Sequence, residues 1–158
     1  MDNRGRTIRT ERVGQLLFVA AQAAEALARE RLEPLGLAPR AWGVLSTLVE
    51  SGPLSQIELA TALSIDRTAM VYLLDELEEQ DLVERVRNPA DRRAFLIHLT
   101  PRGRRLQKKA AAELAGQAER LLDPLAPAER RQLVDLLARV TESWQVSTDS
   151  ARLSSSDD

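Results

Sequence analysis

The sequence predicts a mainly α-helical chain carrying one small β-hairpin, and three observations predict it. Hydrophobic residues make up 44% of the 158 residues, most of them Ala, Leu and Val, while aromatics are only 3%. That balance favours helix over sheet. Apolar residues return at three- and four-residue spacing through six separate segments, the period of a helix with one buried face. The spacing drops to two only once, between Leu82 and Leu99, on either side of a polar turn containing Pro89. The length suits one domain of moderate size.

The first helix is expected from about Thr10 to Arg31, with Val13, Leu16, Leu17, Ala20, Ala24 and Leu27 on one face. Pro34 and Gly36 then break it. A second starts at Pro39, a favourable first-turn residue, and runs through Trp42, Leu45 and Leu48 to Glu50; Ser51-Gly52-Pro53 is a turn. Ser55 with Glu58 three residues on forms a capping box that opens a third helix ending at Leu63. Ser64 and Ile65 make a tight connection, and Asp66 caps a fourth helix from Arg67 to Gln80, whose buried stripe is Met70, Leu73, Leu74 and Leu77. Two short helices joined by so few residues form a helix-turn-helix pattern.

Strands are expected over Leu82–Arg87 and Phe95–Leu99, joined by Asn88-Pro89-Ala90-Asp91-Arg92-Arg93-Ala94, and residues near Leu54 hint at a very short third strand. Thr100-Pro101 opens a fifth helix marked by Leu106, Ala110, Leu114 and Leu121 and ended by Asp123-Pro124. Ala126-Pro127 opens a sixth, with Leu133, Leu136, Leu137, Val140 and Trp144 on one face. The expected organisation is a flexible basic arm over 1–9, a first helix region over 10–36, a compact lobe over 37–100, two long helices over 101–145, and a disordered polar tail over 146–158.

Composition excludes several function classes. With no cysteine there is no disulfide framework and no thiol chemistry, and the lone histidine, His98, cannot form an imidazole cluster for a metal. No Gly-rich phosphate loop and no nucleophile–histidine–acid constellation is visible, so neither an enzyme nor a cofactor is expected. Apolar runs are too short to span a membrane, no signal peptide is read, and the cytoplasm is the expected location.

Charge is concentrated. Between Glu84 and Lys109 stand Arg85, Arg87, Arg92, Arg93, Arg102, Arg104, Arg105, Lys108 and Lys109, opposed only by Glu84 and Asp91, although the whole chain carries a net charge of −2. A local excess of this kind beside a helix-turn-helix suits neutralisation of phosphate.

Several segments carry a likeness to a known family: Leu37 to Leu45, Gly52 to Ala60, Ile65 to Met70, Leu74-Asp75-Glu76-Leu77-Glu78 and Leu82-Val83-Glu84-Arg85. The most specific is Asp91-Arg92-Arg93 through Leu99-Thr100-Pro101-Arg102-Gly103, which fits a D-x-R…L-T-x-x-G wing signature. In these the chain resembles the MarR family of bacterial regulators. The resemblance implies a winged helix-turn-helix, with 37–100 as the DNA-binding lobe and the helices over 10–36 and 101–145 as the dimerisation region. It implies a homodimer joined through the N- and C-terminal helices and binding to a pseudo-palindromic double-stranded DNA operator. It also implies a repressor often released by a small aromatic or phenolic ligand. The competing expectation is a dimeric winged-helix module that binds protein and no operator.

Residue by residue, the fourth helix enters the major groove with Arg67, Thr68, Ala69, Val71 and Tyr72 facing away from the core. Thr68 can bond a base edge or phosphate, and Ala69 and Val71 can touch thymine methyls. Relatives often carry Arg where this chain has Tyr72, which puts a guanine contact there in doubt. Arg93 is the candidate for the minor groove, with Arg92 the alternative, and Asp91 orients that Arg or braces the loop. Arg85 and Arg87 touch phosphate or protect a strand edge. Ser55 and Gln56 offer backbone N–H groups at a helix start. Val13, Leu17, Leu133, Leu137, Val140 and Trp144 are the expected dimer contacts. Phe18, Arg40, Trp42 and His98 are candidates for a ligand site between the dimerisation helices and the DNA lobe.

Overall fold

A computed structural model describes residues 10–91 and 93–154, except the side chains of Thr10, Glu11, Ala118 and residues 144–154. The expected basic arm at 1–9, the minor-groove candidate Arg92, the last residues 155–158 and the side chain of Trp144 therefore lie outside the described residues.

Among the described residues the chain forms six α-helices and three strands: α1 (Thr10–Leu32), α2 (Pro39–Ser51), β1 (Leu54–Ser55), α3 (Gln56–Ala62), α4 (Arg67–Glu79), β2 (Val83–Arg87), β3 (Phe95–Leu99), α5 (Pro101–Leu121) and α6 (Pro127–Ser154). A short 3-10 turn, Glu33–Leu35, follows α1 where the sequence suggests only a break. The strands form one antiparallel sheet in the order β1-β3-β2, with Arg85 opposite Ile97 on one side and Leu54 opposite Ile97 on the other.

Local chemistry explains the boundaries. Ser55 Oγ accepts from the Glu58 backbone N–H at 3.3 Å, and Glu58 Oε2 accepts from the Ser55 N–H at 2.7 Å, closing the capping box. Asp66 Oδ1 accepts from the N–H groups of Thr68 and Ala69, which fixes the start of α4. Between α3 and α4 the chain reverses through Ser64 in the left-handed region, at φ 51°.

One core joins these elements. Leu45 and Leu48 from α2, Leu59 from α3, Met70, Leu74 and Leu77 from α4, and Leu82, Val83, Ile97 and Leu99 around the sheet are buried together. Helix α5 packs against both α1 and α2 and so ties the lobe to the long helices. At the start of α5, Thr100 Oγ1 donates to the Asp81 carbonyl at 2.6 Å and accepts from the Gly103 N–H at 2.9 Å. Gly103 is required by close approach: a Cβ there would lie 2.0 Å from the Leu82 carbonyl oxygen.

The C-terminal boundary differs from expectation. Helix α6 continues to Ser154, through residues expected to be a disordered tail from 146. No Pro or Gly follows Pro127 to stop it, and adding residues to an existing helix is far easier than nucleating one. No helix among the described residues is long and apolar enough to cross a membrane.

Candidate nucleic-acid interface and effector cavity

Helix α4 turns Met70, Leu74 and Leu77 into the core, which forces the intervening positions outward. Arg67 and Thr68 are exposed, Ala69 is half-buried, Val71 is exposed, and Tyr72 is 71% exposed, which leaves its ring and hydroxyl free to reach a ligand surface. Ser55 and Gln56 are half-buried at the start of α3.

The wing tip is braced through its backbone. Asp91 Oδ1 accepts from the Arg93 N–H at 3.0 Å, Asn88 Oδ1 accepts from the Ala90 N–H at 2.9 Å, and the Asn88 N–H donates to the Ala94 carbonyl at 2.9 Å. Of the two roles considered for Asp91, these bonds are those of a loop brace. They leave the Arg93 side chain exposed. Lower on the wing, the Arg87 guanidinium lies over the Phe95 ring, 5.2 Å from its centroid.

Arg85 is placed differently from the sequence expectation. Its Nη2 donates to Asp75 Oδ1 at 2.5 Å, its Nη1 donates to Glu78 Oε2, and its backbone N–H donates to Glu78 Oε1 at 3.2 Å. Both ends of the guanidinium fork are engaged by carboxylates of α4, a pairing that the sequence expectation does not include. Partial burial opposes its charge, but the hydrogen bonds and charges of Asp75 and Glu78 outweigh that and raise its pKa above the ordinary arginine value.

A second feature lies where α1, α2 and α5 meet. Ala24, Leu27, Ala28, Trp42, Leu114, Gln117 and Leu121 line a cavity of about 190 Å³. Among the described residues its lining contains no ionisable side chain. Trp42 Nε1 and both amide atoms of Gln117 are buried without a hydrogen-bond partner among the described residues, and Gln117 is only 5% exposed. Of the four ligand candidates, Trp42 lines this cavity. Phe18 is 63% exposed on α1, Arg40 is exposed at the start of α2, and His98 is half-buried on β3 opposite Glu84. Gln117 is absent from the sequence-based candidates, although a signal for it exists: it falls in helical step with Ala110, Leu114 and Leu121, a polar residue on an apolar line.

Four of the six expected dimer residues are exposed in the single chain. Val13, Leu17, Leu137 and Val140 lie open, as do Leu16, Val134 and Leu136, while Leu133 is half-buried.

Comparison with known proteins agrees with this architecture. The MarR family model matches residues 35–94. The chain is 33% identical over 105 residues to a putative transcriptional regulatory protein for the hcr operon of Thauera aromatica; the match spans 66% of this chain and 63% of that protein, less than two thirds of its length. A mutant MarR from E. coli complexed with operator DNA is similar over 81% of this chain and 92% of its own, at 29% identity and a TM-score of 0.73. CouR from Rhodococcus jostii RHA1, bound to p-coumaroyl-CoA, is similar over 82% of this chain and 91% of its own, at 32% identity and a TM-score of 0.74. With the wing signature, the fold and these likenesses together, the chain belongs to the MarR family of winged helix-turn-helix transcription regulators.

Proposed function

We propose that two copies of this chain bind a pseudo-palindromic operator as a repressor, in the cytoplasm, and that a small aromatic ligand in the α1–α2–α5 cavity releases it. The observation that carries the DNA reading is the bare outer face of α4, with Arg67, Thr68 and Tyr72 exposed, beside a wing tip that presents Arg93. The helix suits the major groove and the arginine suits the narrow, negative minor groove. The operator complex of the similar MarR supports the same use of the fold.

Pairing is supported by the exposed apolar side chains of α1 and α6, which a two-fold mate would cover. Effector binding is supported by the cavity. A cavity of about 150 Å³ can hold a benzene ring, so this one suits a single substituted ring. The ligand named for CouR, p-coumaroyl-CoA, carries an aromatic ring. Because the lining is uncharged, the inserted part of the ligand is neutral: an ionised carboxylate would be stranded there.

The test is a footprint on duplexes selected by the protein from a random pool. Paired half-sites about one helical turn apart are expected, with affinity falling steeply as salt rises. Arg93→Ala weakens the footprint. An unchanged titration refutes the wing assignment, and failure to retard any duplex at low salt favours the protein-binding module instead.

A further inference from the structure

We infer that Arg85 is a positioning residue for DNA recognition: it fastens the wing to the recognition helix, so that α4 and the wing tip meet the duplex as one rigid unit. This rests on the DNA-binding reading above.

The geometry is specific. Asp75 and Glu78 stand three residues apart on one face of α4, and Arg85 lies on β2, the strand that leads into the wing tip. Its fork spans both carboxylates, while Glu78 holds the Arg85 backbone N–H as well as its guanidinium. One carboxylate therefore fixes the strand and the side chain together. A lone exposed ion pair contributes little, but this arrangement is a three-residue network, and the Arg85 side chain is only 24% exposed. Lysine could not reproduce the fork.

Positioning and phosphate contact predict different salt behaviour. Removing a phosphate contact weakens all DNA binding and reduces the salt slope by about one. Removing a positioning contact lowers specific binding, leaves non-specific binding alone, and leaves the slope unchanged.

The experiment compares affinity for the selected duplex with affinity for poly(dI-dC), across a salt series. For Arg85→Ala the specific affinity is expected to fall about 2–30-fold with an unchanged slope. The decisive variant is Asp75→Asn with Glu78→Gln, which is isosteric, changes two partly exposed side chains, and serves even if Arg85→Ala does not fold. It removes two negative charges from the DNA-facing lobe, so charge alone predicts tighter binding. The clamp predicts a lower specificity ratio. Tighter or unchanged operator binding by the double variant overturns the inference, as does a reduced salt slope for Arg85→Ala. If the unsubstituted chain retards no duplex, the DNA-binding reading itself has failed; if it binds and the variants match it, only the inference has.

Discussion

Replacing Gln117 by Leu should make the protein more stable and deaf to the proposed aromatic effector. The amide of Gln117 is buried in an apolar wall with neither its nitrogen nor its oxygen bonded to a described residue. Leaving such a group unpaired costs about 1–3 kcal/mol. Leucine has a similar volume, so the substitution removes the polar group without enlarging the cavity. A gain of about 1 kcal/mol corresponds to roughly 2–4 °C in a chain of this size, and thermal melting followed by circular dichroism would resolve it. A fall in Tm would refute the reasoning, because it would mean that the amide is well bonded in the native protein.

The same substitution separates the two halves of the proposed function. Operator retardation should be retained, since Gln117 lies on α5 and away from α4 and the wing. Release by a neutral aromatic ligand should be lost, because the amide is the polar handle on the cavity wall. A matched pair, 4-hydroxybenzamide and 4-hydroxybenzoate, tests the charge argument in the unsubstituted protein: the amide should raise Tm and the ionised acid should not.

Two further outcomes are expected. Gly103→Ala should destabilise the fold by about 3 kcal/mol, at the upper end of overpacking penalties, because its Cβ would meet the Leu82 carbonyl oxygen; urea unfolding would show a lower midpoint. Leu137→Glu combined with Val140→Glu should shift the protein to monomer in sedimentation, since each apolar side chain of this kind contributes about 1.5–3 kcal/mol when buried; an unchanged dimer would place the interface elsewhere.

Local signals make most of the fold legible. Ser55 with Glu58, and Asp66 before α4, mark helix starts through bonds that span only two or three residues. The alternation of Phe95, Ile97 and Leu99 marks a strand: Ile97 and Leu99 on that face are buried, while Phe95 at the wing end is exposed. The site is less legible where it depends on residues far apart in sequence. Nothing local to Arg85 reveals that Asp75 and Glu78, ten and seven positions earlier, fold back onto it. Gln117 shows as one polar residue on an apolar line, and only the packing of α5 against α1 and α2 turns it into a cavity wall. Polar composition misleads about the end of α6, because a polar segment without a helix breaker can extend a helix that already exists.

Under the proposed function, the placement of the cavity would let a ligand without any contact to DNA act on DNA binding. Trp42 belongs to α2, which also carries Val44, Leu45 and Leu48 into the core shared with α4, and Trp42 packs against that core. The opposing walls belong to α1 and α5, the first of which is proposed to meet the dimer mate. A ring inserted between them bears on the joint between lobe and dimer. With α4 and the wing clamped through Arg85 as inferred above, a shift of α2 would move the proposed reading face and the wing tip together. In a dimer this changes the separation of two reading faces, and paired half-sites tolerate little change in that spacing. The ligand need only bind the two spacings with different affinity to shift the population between them.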